Sequence, residues 1–121
     1  LLTMSGEHMI SRYYRAILIV VALGAFVSVP MVHAYPTASG NVSQAIDHAT
    51  QAVAHGKEGH VDELVKHAKT ALDFAEMGGK GVEVREGIHH LKEAIAHGNA
   101  GHADVGVEHL EAALKHLSEI N

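Results

Sequence analysis

The chain has 121 residues, with 12 histidines, no cysteine, no tryptophan and a formal charge of −5. Without cysteine there are no disulfides, thiolate metal sites, iron–sulfur clusters or haem held through C-x-x-C-H. The acidic balance argues against nucleic acid as a partner and suits cations.

Arg12 and Arg15 precede an apolar run, Ala16 to Val29, followed by Pro30 and the small-x-small pattern Val32-His33-Ala34. This reads as a secretory signal peptide starting at Met9 and cut after Ala34, behind an upstream extension. The alternative is a membrane anchor, for which the run is short. Cleavage leaves residues 35–121, an exported, periplasmic domain of formal charge −6 once Glu7, Arg12 and Arg15 are removed. That length allows one small core, and Tyr35 and Phe74 are its only aromatics besides histidine.

Four helices are expected in chain order, each with one apolar stripe to bury. The first runs from about Val42 to His55, capped by Asn41 or Ser39, with Ile46, Ala49 and Val53 inward. Gly56 and Gly59 end it, as residues tolerant of the left-handed conformation. The second runs from about Val61 to Met77 on Val61, Leu64, Ala68, Leu72 and Ala75, with Asp62 and Glu63 at its dipole-favoured start. Gly78, Gly79 and Gly81 form the central break. The third, about Val82 to His97, carries Val84, Ile88, Leu91 and Ile95. The fourth, about Ala103 to Ile120, carries Val107, Leu110, Leu114 and Leu117. Short connections make an all-α, antiparallel up-down-up-down four-helix bundle the simplest arrangement.

A shift of 42 residues aligns the chain with itself: residues 46–72 match 88–114 at 13 of 27 positions, including all four histidines. The unit is a helical hairpin with an H-G-x-x-G-H turn, and the bundle places both turns at one end.

Ten histidines lie between residues 48 and 116, and most are spaced by seven, nearly two helical turns. They sit at the edges of the apolar stripes. In an antiparallel hairpin, residues at equal height have numbers of constant sum. His55 and His60 share one sum with His48 and His67, and His97 and His102 share another with His90 and His109. Each hairpin should therefore carry two rungs of paired imidazoles, about 10 Å apart and too far apart to share an ion. His116 pairs by the same rule with Glu83, whereas the corresponding Asn41 and Phe74 make a poor metal site. Neutral imidazole is the commonest ligand of borderline transition metals. Glu63 lies three after His60 and four before His67, and Glu93 three after His90 and four before His97, so either can supply oxygen or orient a ring. Glu58 and Glu119, each three after a histidine, are weaker candidates.

The segments AVAHGKEGHVDELVKHAK (52–69) and HHLKEAIAHGNAGHADVGVEHLEAALKHL (89–117) resemble the small metal-binding proteins of ammonia-oxidising bacteria. That resemblance implies a histidine-rich, periplasmic, monomeric four-helix bundle that binds several divalent metals, notably copper. It places the ligands at His48, His55, His60, His67, His90, His97, His102, His109 and His116. Phe74 departs from the pattern.

The expected function is buffering or chaperoning of divalent metals, with Cu²⁺ favoured at nitrogen sites and Ni²⁺ and Zn²⁺ behind. A metal donor or acceptor protein is an open partner, and no membrane association is expected after cleavage. The competing reading is a pH-responsive binding module that charges its histidines below about pH 6.5. A bis-histidine haem bundle would need core-facing ligands. No nucleophile or acid–base pair points to an enzyme.

Overall fold

A computed structural model describes residues 36–120, so the signal-peptide expectation lies outside the described residues. These residues form four helices: α1 Ala38–Lys57, α2 Val61–Glu76, α3 Val82–Asn99 and α4 Ala103–Ser118. The all-α four-helix bundle is as expected. α1 packs on α2 and α3 on α4 most extensively, α2 on α3 and α1 on α4 close the ring, and the diagonal α2–α4 contact is slight. Among the described residues, no helix is long and apolar enough to cross a membrane.

Thr37, not Asn41 or Ser39, caps α1, its hydroxyl accepting from the Gly40 amide at 3.0 Å. The helix thus starts four residues earlier than expected and ends two later. Asn41 is buried instead, and its Nδ2 donates to the Met77 carbonyl at 3.2 Å, tying the start of α1 to the end of α2.

The two glycines of each H-G-x-x-G-H turn have separate tasks. Gly59 and Gly101 take the left-handed backbone, φ 79° and 81°. The next amide then reaches back over the turn, His60 N–H to the His55 carbonyl and His102 N–H to the His97 carbonyl, both 2.9 Å. Gly56 and Gly98 are helical and buried, which corrects the expectation that Gly56 ends α1. A Cβ on Gly56 would meet Val107 at 2.4 Å and Leu64 at 2.5 Å, and one on Gly98 would meet Val65 at 2.6 Å. Val65 and Val107 are related by the same 42-residue shift as Gly56 and Gly98. Each hairpin's glycine therefore receives the other's valine, the reciprocity that a local two-fold axis requires.

Sixteen aliphatic residues form the core: eight alanines, four valines and the four leucines Leu64, Leu91, Leu110 and Leu117. The buried line differs from the expected stripes. On α1 it runs through Val42, Ala45, Ala49, Ala52 and Gly56, and Ile46 and Val53 flank it half-buried, as do Leu72, Ile88, Ile95 and Leu114 on the other helices. Small residues occupy the lines of closest helix approach, and larger side chains seal the flanks. The duplicated core is only partly symmetric: Val42 and Val84, Ala52 and Ala94, Val65 and Val107, and Ala71 and Ala113 match, whereas other corresponding positions are unequal. Leu64 corresponds to Gly106, Ala49 to Leu91, Ala68 to Leu110 and Ala75 to Leu117. Where Leu64 meets its counterpart Gly106, with a Cβ on the glycine only 3.5 Å from Leu64, two large side chains would collide and two small ones would leave a void, so one of each fills the space.

Candidate metal centre

The edge of α1 opposite Ile46 and Val53 carries His48 and His55 and faces α2. α3 presents His90 and His97 to α4 in the same way. The inner pairs form as the constant-sum rule predicts: Nδ1 of His48 lies 3.3 Å from Nδ1 of His67, and Nδ1 of His90 lies 3.2 Å from Nδ1 of His109. The turn pairs are looser, with ring centroids 6.0 Å apart for His55–His60 and 6.2 Å for His97–His102. Two Nδ1 atoms at hydrogen-bond distance require one ring to donate and the other to accept, so at most one ring of each pair carries a proton at Nδ1 in that contact.

The rungs are not separate, which corrects the expectation that they stand too far apart to share an ion. His55 also stacks on His67 at 5.3 Å and 10°, and His97 on His109 at the same distance and angle. Histidines seven apart on one helix are about 10.5 Å apart in height. A stagger of half that spacing sets each ring except the end ones, His60 and His102, between two rings of the opposite helix. Each hairpin is thus a zipper of imidazoles: His60, His55, His67, His48 in the first and His102, His97, His109, His90 in the second.

The zippers end differently. In the first, Phe74 stacks on His48 at 5.7 Å. In the second, His116 stacks on His90 at 5.6 Å, and its Nδ1 meets a Glu83 carboxylate oxygen at 2.8 Å. This is the expected mixed pair, and the His116 contact holds the Glu83 carboxyl below its ordinary range. His89 lies exposed beside His90, off the zipper.

Burial and electrostatics act on one ring of each inner pair. Desolvation, then the charges of His55, His48 and Lys66, pushes the His67 imidazole below its ordinary range, with Glu63 opposing. Desolvation, then His109, His116 and His89, does the same to His90. Both shifts favour the neutral form, the one that binds metal.

Carboxylates join the zippers at three places where ligand atoms lie within 4.8 Å of one another: His55–Glu58–His60, Glu93–His97–His109 and Glu83–His116–Glu119. Glu93 therefore meets His97 and His109, whereas Glu63 enters no such group. Glu58, Glu83 and Glu119 gain weight over the sequence reading. Glu58 has a helical signal, three residues after His55. Among the described residues, each of these groups lies within one hairpin.

A family profile described as small metal-binding protein matches residues 12–120. The chain belongs to the small metal-binding protein family. No curated protein matches it.

The donor set fits the ions such a metal-binding protein would carry. Ligand atoms 3.2–3.3 Å apart in the inner pairs match the edge of a tetrahedron with metal–nitrogen bonds of about 2.0–2.1 Å. Nδ1 of His55 is buried without a hydrogen-bond partner, a lone pair or N–H left unpaired inside the zipper. Imidazole and carboxylate, with no thiolate, are both metal-ligating donors.

Proposed function

We propose that this member of the family is a periplasmic buffer or carrier of divalent transition metals, binding Cu²⁺ in preference to Ni²⁺ and Zn²⁺. The observation that carries this is the pair of imidazole zippers, with their tetrahedron-edge nitrogen spacings and the unpartnered His55 Nδ1. A pH-responsive module needs many histidines but not this spacing. The Irving–Williams order places Cu²⁺ first at nitrogen sites, and supply in the compartment decides which ion is carried. Two or three protein ligands per site leave positions to water. That suits release to an acceptor protein better than catalysis, and the reading is of a monomeric, non-enzymatic protein free of the membrane.

Calorimetric titration with elemental analysis tests this. More than one Cu²⁺ should bind per chain at pH 7, more tightly than Ni²⁺ or Zn²⁺. Affinity should fall as pH drops through about 6.5, because protons compete for the ligands. A chain that binds no divalent ion at pH 7 would exclude the function.

A further inference from the structure

The two hairpins repeat the four histidines of the turn and inner pairs but none of the glutamates beside them. His55 and His97 occupy corresponding places in the zippers, each between two rings of the opposite helix. His55 lies 6.0 Å from His60 and 5.3 Å from His67, and His97 lies 6.2 Å from His102 and 5.3 Å from His109. Imidazoles alone thus give each central histidine two competing partners. What differs is the third ligand. Glu58 stands in the first turn, where the second hairpin has Ala100. Glu93 stands one turn before His97, where the first hairpin has Gln51.

Resting on the metal-binding reading above, we infer that these carboxylates, not the histidines, choose where each hairpin holds its first ion. Glu58 commits His55 to His60, making an exposed site in the turn. Glu93 commits His97 to His109, making a sheltered site deeper in the hairpin. The side chains of Glu58 and His60 are 62% and 57% exposed, whereas Glu93, His97 and His109 are all half-buried. One bundle then carries two kinds of site. The turn site exchanges ions with solvent, and the inner site retains them.

The choice is forced because neighbouring sites overlap. An ion on His97 and His109 uses a ring from each of two adjacent pairs and disrupts both. It fills first only if its third ligand outweighs the pair it displaces. Two imidazoles and a carboxylate, finished by water, form an open zinc-type ligand set. Glu93 forms no ion pair or side-chain hydrogen bond among the described residues, so it is free to turn to the ion.

Nitrogen-15 NMR of the histidine rings during Zn²⁺ titration of the full chain tests this. In the wild type, the first equivalents should shift His55, His60, His97 and His109, with His102 and His67 responding last. Glu93→Gln should lower the affinity of the second hairpin's first site by about tenfold or more and move the early response from His109 to His102. Ala100 has the same helix-terminal backbone as Glu58, φ −82° against −85°, so Glu93→Gln/Ala100→Glu should restore the affinity and hold the ion at His97 and His102. Simultaneous shifts of His102 and His109 in the wild type would overturn the inference. So would a Glu93→Gln titration matching the wild type. Either result leaves metal binding intact, whereas a wild type whose rings ignore both Zn²⁺ and Cu²⁺ defeats both readings.

Discussion

Glycine serves two distinct purposes in each turn, one of backbone conformation and one of space. Gly59 needs its backbone freedom, since its φ of 79° is strained for any L side chain, and a Cβ there would touch nothing. Gly56 needs its missing side chain, since Val107 and Leu64 already fill the space. Gly56→Ala gains helix propensity of about 1 kcal/mol but forces the core apart at a cost of about 1–3 kcal/mol. Gly59→Ala costs about 1–2 kcal/mol from the left-handed backbone alone. Both should lower the melting temperature of the metal-free chain. Only Gly56→Ala should also disturb the methyl NMR resonances of Val107 and Leu64. A Gly56→Ala chain melting at or above the wild type would mean that the close approach does not constrain the bundle. In the sequence the two glycines look alike. The H-G-x-x-G-H motif marks a helix stop, but only the packing shows which glycine stops the helix and which admits the neighbour.

At the scale of the hairpin, spacing made the inner histidine pairs legible, because antiparallel helices at fixed rise must bring His48 to His67 and His90 to His109. The stagger was not legible, because the constant-sum rule assumes paired residues at equal height, whereas the helices slide so that His55 lies nearer His67 than His60 and His97 nearer His109 than His102. Nor was the weight of Glu58, since exposed carboxylates near histidines are common on helices and only geometry sorts them. The zipper has a cost in the absence of metal. His67 and His90 are held below the ordinary imidazole range of 6.5, chiefly by burial and then by neighbouring histidines. Between their folded values and about 6.5 the unfolded chain binds more protons than the native one, so stability rises with pH there. The stability these two rings contribute is full above about 6.5 and is lost as pH falls toward their folded values. Glu83 acts in a separate window, below its ordinary 4.5, where losing its charge removes the His116 contact. With chelator present, the melting temperature should drop between pH 7.5 and 5.5, and His67→Gln/His90→Gln should flatten that drop. A metal-free melting temperature that stays level or rises as pH falls through this range would contradict the assignment.

For the whole molecule, the period of apolar residues was enough to predict four helices and their antiparallel order. It misplaced the centre of each stripe, because weight given to large side chains draws the eye to Ile46, Val53, Ile88 and Ile95. Those residues seal the flanks, while alanine and glycine line the closest approach. This arrangement separates folding from metal. All sixteen core residues are aliphatic, and the zipper histidines are half-buried at the edge or exposed at the turns. This predicts folding without ligand, with an ion acting only by binding the native state more tightly than the unfolded one. That linkage stabilises by about 2.7 kcal/mol for one site at a hundredfold excess of free ion over Kd. For a domain of this size each kcal/mol raises the melting temperature by about 4–8 °C. The chain stripped with chelator should give the circular dichroism of a helical bundle and melt cooperatively. Adding Cu²⁺ should raise its melting temperature by about 10 °C or more without adding helix. A stripped chain that is unstructured and folds only when the ion arrives would show that the imidazole zippers, and not the aliphatic core, hold the helices together.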